Sequence, residues 1–270
     1  MKKSVALALS CGGARGYAHI GVIEVLEELG FEIKSIAGSS MGAVVGGIYA
    51  ANKLNKYTEW VRTLKKLDVW RLLDLSFNKK AVFKGDKIIN FLEELLGDCN
   101  IEDFEKDFTA VAVDIINQKE VWFKEGSLFT ALRASSSIPG IFTPVYYHNK
   151  ILADGGILNP LPIAPVLNAN VDIVIAVNVN SDVNYQNENF KSNFTQEQLP
   201  ENLSVIDIMM QSIITMQTKI TQFHLATYSP DIIIEIPRTS CGLFDFHLAN
   251  EMIELGKNVT YKVLKENLSL

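Results

Sequence analysis

The sequence predicts an α/β layered fold on a largely parallel sheet. Short apolar runs alternate with amphipathic helical stretches along most of the chain, and glycine-rich turns stand where two of those runs give way to helices. Of the 270 residues, 48% are hydrophobic and 21% charged, a balance that buries a large core and excludes a disordered or collagen-like chain. No repeat and no boundary interrupts the alternation. Residues 1–270 therefore read as one domain, with the motifs concentrated in 5–165 and further strands and packing helices over 166–270.

In order, residues 5–9 are a buried strand, 17–29 a helix with Ile20, Ile23 and Leu26 on one face, and Gly30 its C-terminal stop. Residues 34–37 form a short strand and 41–52 a helix of small residues. Further strands are expected over 109–115, 120–123, 145–153 (a hairpin turning at His148-Asn149), 172–179 and 231–236. Helical periodicity covers 55–67, 86–96, 127–134, 204–226 and 246–265. The polar, Asn/Gln-rich stretch 181–202 reads as a surface loop. In the 204–226 helix the apolar stripe Ile206, Met209, Met210, Ile213, Met216, Ile220 and Phe223 has two readings, core packing by default or the lining of an acyl-chain groove.

Gly38-Ser39-Ser40-Met41-Gly42 satisfies G-x-S-x-G between a strand and a helix. A serine at so tight a turn is held in strained backbone geometry with its hydroxyl projecting from the sheet, at a helix N-terminus that favours a developing oxyanion. Flanking glycines are required because a Cβ would strike the adjoining strand or helix. Only Ser40 has them on both sides, which separates it from Ser39 as the candidate nucleophile. After the first strand comes Cys11-Gly12-Gly13-Ala14-Arg15-Gly16, whose backbone N–H groups can converge on an anion, either a nucleotide phosphate or an acyl-transfer oxyanion. Cys11 breaks the dinucleotide fingerprint and no phosphate-loop motif is present, so the oxyanion reading is the stronger. Arg15 is either a fixed charge beside that hole or a structural arginine.

A serine hydroxyl needs a base. Of the four histidines, His224 or His247 formally completes a Ser-Asp-His order, but both lie in helical patterns, His19 lies in the first helix and His148 in a turn. The other candidate is Asp154 in Leu152-Ala153-Asp154-Gly155-Gly156, a carboxylate at a strand end beside two glycines; in a desolvated site an aspartate accepts such a proton directly.

These pieces together resemble the patatin-like phospholipase family of lipid acyl hydrolases. The stretch 7–22 resembles its oxyanion-loop block, 37–43 its elbow, Ala134-Ser135-Ser136-Ser137-Ile138-Pro139-Gly140-Ile141-Phe142 a block before the acidic motif, and 153–162 the acidic motif, all in the family's order. The resemblance implies a three-layer α/β/α fold and a metal-free, cofactor-free Ser–Asp dyad. In that dyad Ser40 attacks an ester carbonyl, Asp154 takes its proton, and the N–H groups of Gly12, Gly13 and Ala14 hold the oxyanion with Arg15 supporting the loop. It implies phospholipids, lysophospholipids or related acyl esters as substrates, with small esters or thioesters, or a non-catalytic lipid-binding role, as alternatives. Where the family usually has glycine, this chain has Cys11.

The net charge of −6 argues against a nucleic-acid partner. Residues 62–87 depart from it, with eight basic against three acidic residues and Trp60, Trp70, Phe77 and Phe83 interleaved. This stretch is either a flap for peripheral contact with anionic membranes (60–87) or a solvated helix with its aromatics turned inward. Three scattered cysteines fit a reducing, cytoplasmic compartment and no zinc site. No apolar run approaches the roughly 20 residues of a membrane-spanning helix.

Overall fold

A computed structural model describes residues 3–72, 81–183 and 203–268, and every strand expected from the sequence is present there. Strand β1 (Ser4–Leu9) passes through a 3-10 turn, Gly13–Tyr17, into helix α1 (Ala18–Glu28), and β2 (Glu32–Ser39) turns directly into α2 (Met41–Ala50). Helices α3 (Leu54–Val61), α4 (Lys66–Leu72) and α5 (Asp86–Leu96) follow. Next come β3 (Asp107–Asp114), β4 (Lys119–Phe123), α6 (Leu128–Ser135), β5 (Val145–Tyr147) and β6 (Lys150–Asp154). Strand β7 (Ile173–Ser181), helix α7 (Val205–Tyr228), β8 (Ile232–Pro237) and α8 (Ala249–Leu268) complete the order. The β5–β6 hairpin turns at His148 and Asn149, both with positive φ (43° and 61°), as a two-residue turn that follows strand twist demands.

The sheet runs β5-β6-β3-β2-β1-β7-β8, with β4 also paired to β3; β3, β2, β1, β7 and β8 are mutually parallel, and β4, β5 and β6 are antiparallel additions. A parallel sheet must be covered on both faces, and β1, buried along its whole length, shows how. Val5, Leu7 and Leu9 point to a large core shared with α1, α2 and α8, while Ala6 and Ala8 point to a thinner layer with Leu161, Ile163, Val166 and the end of α7 at Leu225 and Tyr228. Small side chains on that second face let the 161–166 segment lie close to the sheet.

Two expectations change. The helix expected over 55–67 is two helices, α3 and α4. The Thr63 hydroxyl donates to the Trp60 carbonyl at 2.7 Å and the Lys65 N–H to the Asp68 carboxylate at 3.1 Å, side-chain bonds that compete with the helical ladder. In α7 the apolar stripe is not core. It splits: the inner side carries Met210, Ile213 and Ile220 of the stripe with Ile214, Gln217, Thr221 and His224, whereas Ile206, Met209, Met216 and Phe223 are exposed, Phe223 by 71%. Most of the expected 181–202 loop, from 184 on, and Asp74, Phe77, Lys79 and Lys80 of the basic stretch lie outside the described residues.

This orientation is measurable. By urea denaturation, Ile20→Ala in the closed core is expected to cost about 2–5 kcal/mol. Phe223→Ala, already in solvent, is expected to change stability by no more than about 0.5 kcal/mol.

Candidate active site

Strand register places the two candidate catalytic residues together. Strand β4 occupies one edge of β3 from Ala110 to Asp114, so β2 and β6 share the other edge. The parallel strand β2 leaves that edge with Ser39 opposite Val111, and the antiparallel strand β6 takes it over with Asp154 opposite Ala112. Ser40 and Asp154 thus meet where one strand hands the edge to the other, and both line one small cavity.

Ser40 has φ 53° and ψ −123°, a conformation costly for a residue with a Cβ. What holds it is a relay: its N–H donates to Ser135 Oγ at 2.9 Å, and the Ser135 hydroxyl donates to the Val111 carbonyl at 2.6 Å. The elbow glycines are close-approach glycines. A Cβ on Gly42 would collide with the Leu9 carbonyl, and one on Gly38 with the Gly42 and Ala43 backbone. Ser39 is committed elsewhere, its hydroxyl donating to the Asn159 carbonyl at 2.6 Å.

The Asp154 N–H donates to the Ser137 carbonyl at 3.0 Å, so Ser135 and Ser137 of one short block fix both members of the pair. Asp154 Oδ1 accepts the Gly156 N–H at 2.7 Å. Oδ2 is buried with no hydrogen-bond partner; the Ser40 hydroxyl is near enough to favour the carboxylate without completing a bond to it. Burial raises the Asp154 carboxyl to about 6, against the opposing pull of Ser40 and the Gly156 N–H. Such a carboxylate is ionised near neutrality and far more basic than a solvated one.

In the glycine loop, Gly13 has φ +55° and Gly12 packs against Val179. Their N–H groups have no partner among the described residues and border the cavity over Ser40. Ala14, expected as a third donor, is already engaged: its N–H donates to the Leu243 carbonyl at 2.9 Å. Arg15 is buried and acts as a brace. Nε and Nη2 donate to Asn180 Oδ1 at 3.1 and 2.8 Å, Nη1 donates to the Cys241 carbonyl at 3.0 Å, and Asn180 Nδ2 in turn donates to the Cys11 carbonyl at 2.6 Å. Asn180 stands near the end of β7, remote from any motif, and no local signal marks it. Cys11 does not have positive φ, so no glycine is required there, and burial next to Asp154 drives its thiol pKa far up, against redox reactivity.

No histidine lines the cavity. His19 is buried with Nε2 2.9 Å from the Ser10 carbonyl and its pKa lowered to about 4 by burial; His224 Nδ1 lies 3.2 Å from the Leu161 carbonyl. The cavity, about 30 Å³, is roofed by Met210, Ile213, Ile214 and Gln217 of α7. A polar cavity of about 360 Å³ adjoins it, sharing Asn180, Ile214 and Gln217. No cluster of ligating side chains suited to a metal occurs among the described residues.

Residues 7–167, which contain the loop, the elbow and the acidic motif, match the model of the patatin-like phospholipase family. The chain belongs to that family. It is 34% identical to uncharacterised NTE family proteins of Mycobacterium tuberculosis and Mycobacterium bovis, over 97% of this chain and 91% of theirs. It is 32% identical to lysophospholipase nte1 of Emericella nidulans over 66% of this chain, which spans 12% of that much longer protein. Among solved structures, VipD of Legionella pneumophila superposes with a TM-score of 0.52 over 98% of this chain and 67% of VipD, at 13% identity, a likeness of fold alone. The three-layer patatin fold expected from the motifs is the one observed.

A carboxyl held at about 6 in the folded protein and near 3.8 when unfolded gives up its proton more readily unfolded, so stability falls as pH rises between those values. Asp154→Asn, neutral throughout, is expected to be more stable than the wild type by about 2–3 kcal/mol at pH 7.5 and equal to it near pH 3.5. Paired denaturant titrations at the two pH values check this.

Proposed function

We propose that this protein is a serine acyl hydrolase that cleaves carboxylic esters of lysophospholipids or related lipids through a Ser40–Asp154 dyad. The observation carrying the proposal is the buried, unpartnered Asp154 carboxylate oxygen beside the strained Ser40 hydroxyl, in a cavity without histidine. In the reaction, Ser40 Oγ attacks the acyl carbon while its proton passes to Asp154 Oδ2. The oxyanion is received by the Gly12 and Gly13 N–H groups, aided by the dipole of α2. Collapse expels the alcohol, which takes the proton from Asp154 and leaves an acyl-serine. Water then attacks the acyl carbon, its proton going to Asp154 and from there back to Ser40 as the acid departs. The names of the fungal relatives support a lysophospholipid substrate. The adjoining cavity offers the leaving alcohol the neutral polar side chains of Asn178, Asn180, Gln217 and Gln222. A second reading, hydrolysis of small esters or thioesters, is favoured by the 30 Å³ volume over Ser40.

Peripheral membrane contact is better served by α7 than by 60–87. Trp60 packs on Tyr57 and Phe91 and Phe83 on Phe142, with centroids 5.1–6.2 Å apart, whereas the α7 stripe lies open above the catalytic cavity. No helix among the described residues is long and apolar enough to cross a membrane.

A fluorophosphonate is expected to label Ser40 alone, as mapped by mass spectrometry. Ser40→Ala and Asp154→Asn are each expected to lower kcat on p-nitrophenyl butyrate by on the order of 10³ or more, and His247→Ala by less than about twofold. Labelling elsewhere, or an inactive His247→Ala enzyme, sinks the dyad. Because the base must be ionised, kcat/KM is expected to rise about tenfold per pH unit below about 6 and to level above it. Changing Met209, Met216 and Phe223 together to Ser is expected to abolish co-sedimentation with phosphatidylcholine vesicles while short-ester turnover persists.

A further inference from the structure

The two serines that steady Ser40 and Asp154 alternate with an arginine, in Arg133-Ala134-Ser135-Ser136-Ser137, where α6 ends. Arg133 does not border the catalytic cavity, yet its side chain is only 11% exposed and each guanidinium nitrogen is engaged. Nε donates to Asp86 Oδ1 at 2.9 Å, and Nη1 to Ser137 Oγ at 2.7 Å. Nη2 donates to the Lys84 carbonyl, and to the Thr143 carbonyl and Oγ1 at 3.1 and 3.0 Å. The Ser137 hydroxyl donates back to the Arg133 carbonyl at 2.8 Å, so its donor and acceptor roles both fall on one residue.

These bonds pin both ends of the loop 137–143. One end supports Asp154, whose N–H donates to the Ser137 carbonyl. Just inside it, Ile138 and Pro139 form part of the wall over Ser40. Acceptors spread this widely suit a planar fork of donors and not the point charge of an ammonium. The ion pair does not account for the arrangement, because Asp86 is 61% exposed and a pair so open to water adds little. Nor does Arg133 act on Asp154 through its charge. The carboxyl responds to burial, to Ser40 and to the Gly156 N–H, and the other ionisable side chains lining its cavity are Cys11 and Arg15. What reaches Asp154 from Arg133 is geometry, carried by the Ser137 backbone.

We propose that Arg133 is a positioning residue for ester hydrolysis: through Ser137 it sets where Asp154 stands relative to the Ser40 hydroxyl. The inference rests on the reading of Ser40 and Asp154 as a dyad. Arg133→Lys keeps the charge and loses the fork. It is expected to lower kcat on p-nitrophenyl butyrate by about 10- to 100-fold, with KM changed by less than about twofold. Ser137→Ala keeps the carbonyl that holds Asp154 and loses only the link to Arg133, and is expected to lower kcat to a similar extent.

A double-mutant cycle separates positioning from a general loss of structure. In an Asp154→Asn background, Arg133→Lys and Ser137→Ala are each expected to cost less than about twofold more, because the group they position is already disabled. A folding defect would instead multiply with the Asp154→Asn loss. If Arg133→Lys does not fold, the cycle between Ser137→Ala and Asp154→Asn decides alone. Multiplying losses, or wild-type kcat in Arg133→Lys or Ser137→Ala, would overturn the positioning role and leave the dyad standing. Wild-type kcat in Asp154→Asn would overturn the dyad, and the role of Arg133 with it.

Discussion

The exchange of partners along one edge of β3 is the constraint on which the rest of the structure depends. Parallel β2 is hydrogen-bonded to β3 only as far as Val111, and antiparallel β6 begins its pairing at Ala112. A parallel strand cannot turn back on its own edge, so the chain must leave it abruptly, and the tight departure puts Ser40 in its strained conformation. An antiparallel strand arriving from the opposite direction ends at the same point and delivers Asp154. Ser40 and Asp154, 114 positions apart in the sequence, are brought together by backbone pairing rather than by any attraction between their side chains. The glycines follow from that exchange: a Cβ on Gly155 would strike the Val111 carbonyl, and a Cβ on Gly42 the end of β1.

The same crowding buries the Asp154 carboxyl and raises its pKa. A solvated carboxylate is too weak a base to relieve a serine of its proton; one in a 30 Å³ cavity, with only one oxygen hydrogen-bonded, is much stronger. The fold loses stability to keep it so. Ser135 and Ser137 offset part of that strain by holding the backbone N–H of each partner, one through its hydroxyl and the other through its carbonyl. Arg15 does the comparable task for the glycine loop, acting through Asn180 rather than on the oxyanion directly.

Much of this was legible in the sequence because it is written in local signals. Strand runs, the His148-Asn149 turn and the glycines around Ser40 each have a steric cause confined to a few residues. The missed features are those decided by distant parts of the chain. That Ala14 spends its N–H on Leu243, and that Asn180 links Arg15 to Cys11, depends on the packing of 180 and 243 against the loop. Periodicity found α7 and its apolar stripe but not the direction that stripe faces. The inner surface of α7 meets a cavity lined by Asn180, Asp182 and Glu235 and turns Gln217, Thr218 and Thr221 toward it with Ile214, which leaves only part of the stripe, Ile206, Met209, Met216 and Phe223, outside.

Two larger cavities flank the space around Ser40, one with mostly polar side chains under α7 and an apolar one lined by Met41. The volume between them is too small for an ester to enter while Met210, Ile213, Ile214 and Gln217 stay where they are. Of the elements bordering the site, α7 is the one most weakly anchored, with Thr221 its one fully buried residue. A lipid surface that takes up Met209, Met216 and Phe223 would gain apolar contact that the folded protein leaves unused. Because α7 supplies that roof, the helix whose orientation sequence periodicity could not supply is the one that covers the cavity over Ser40.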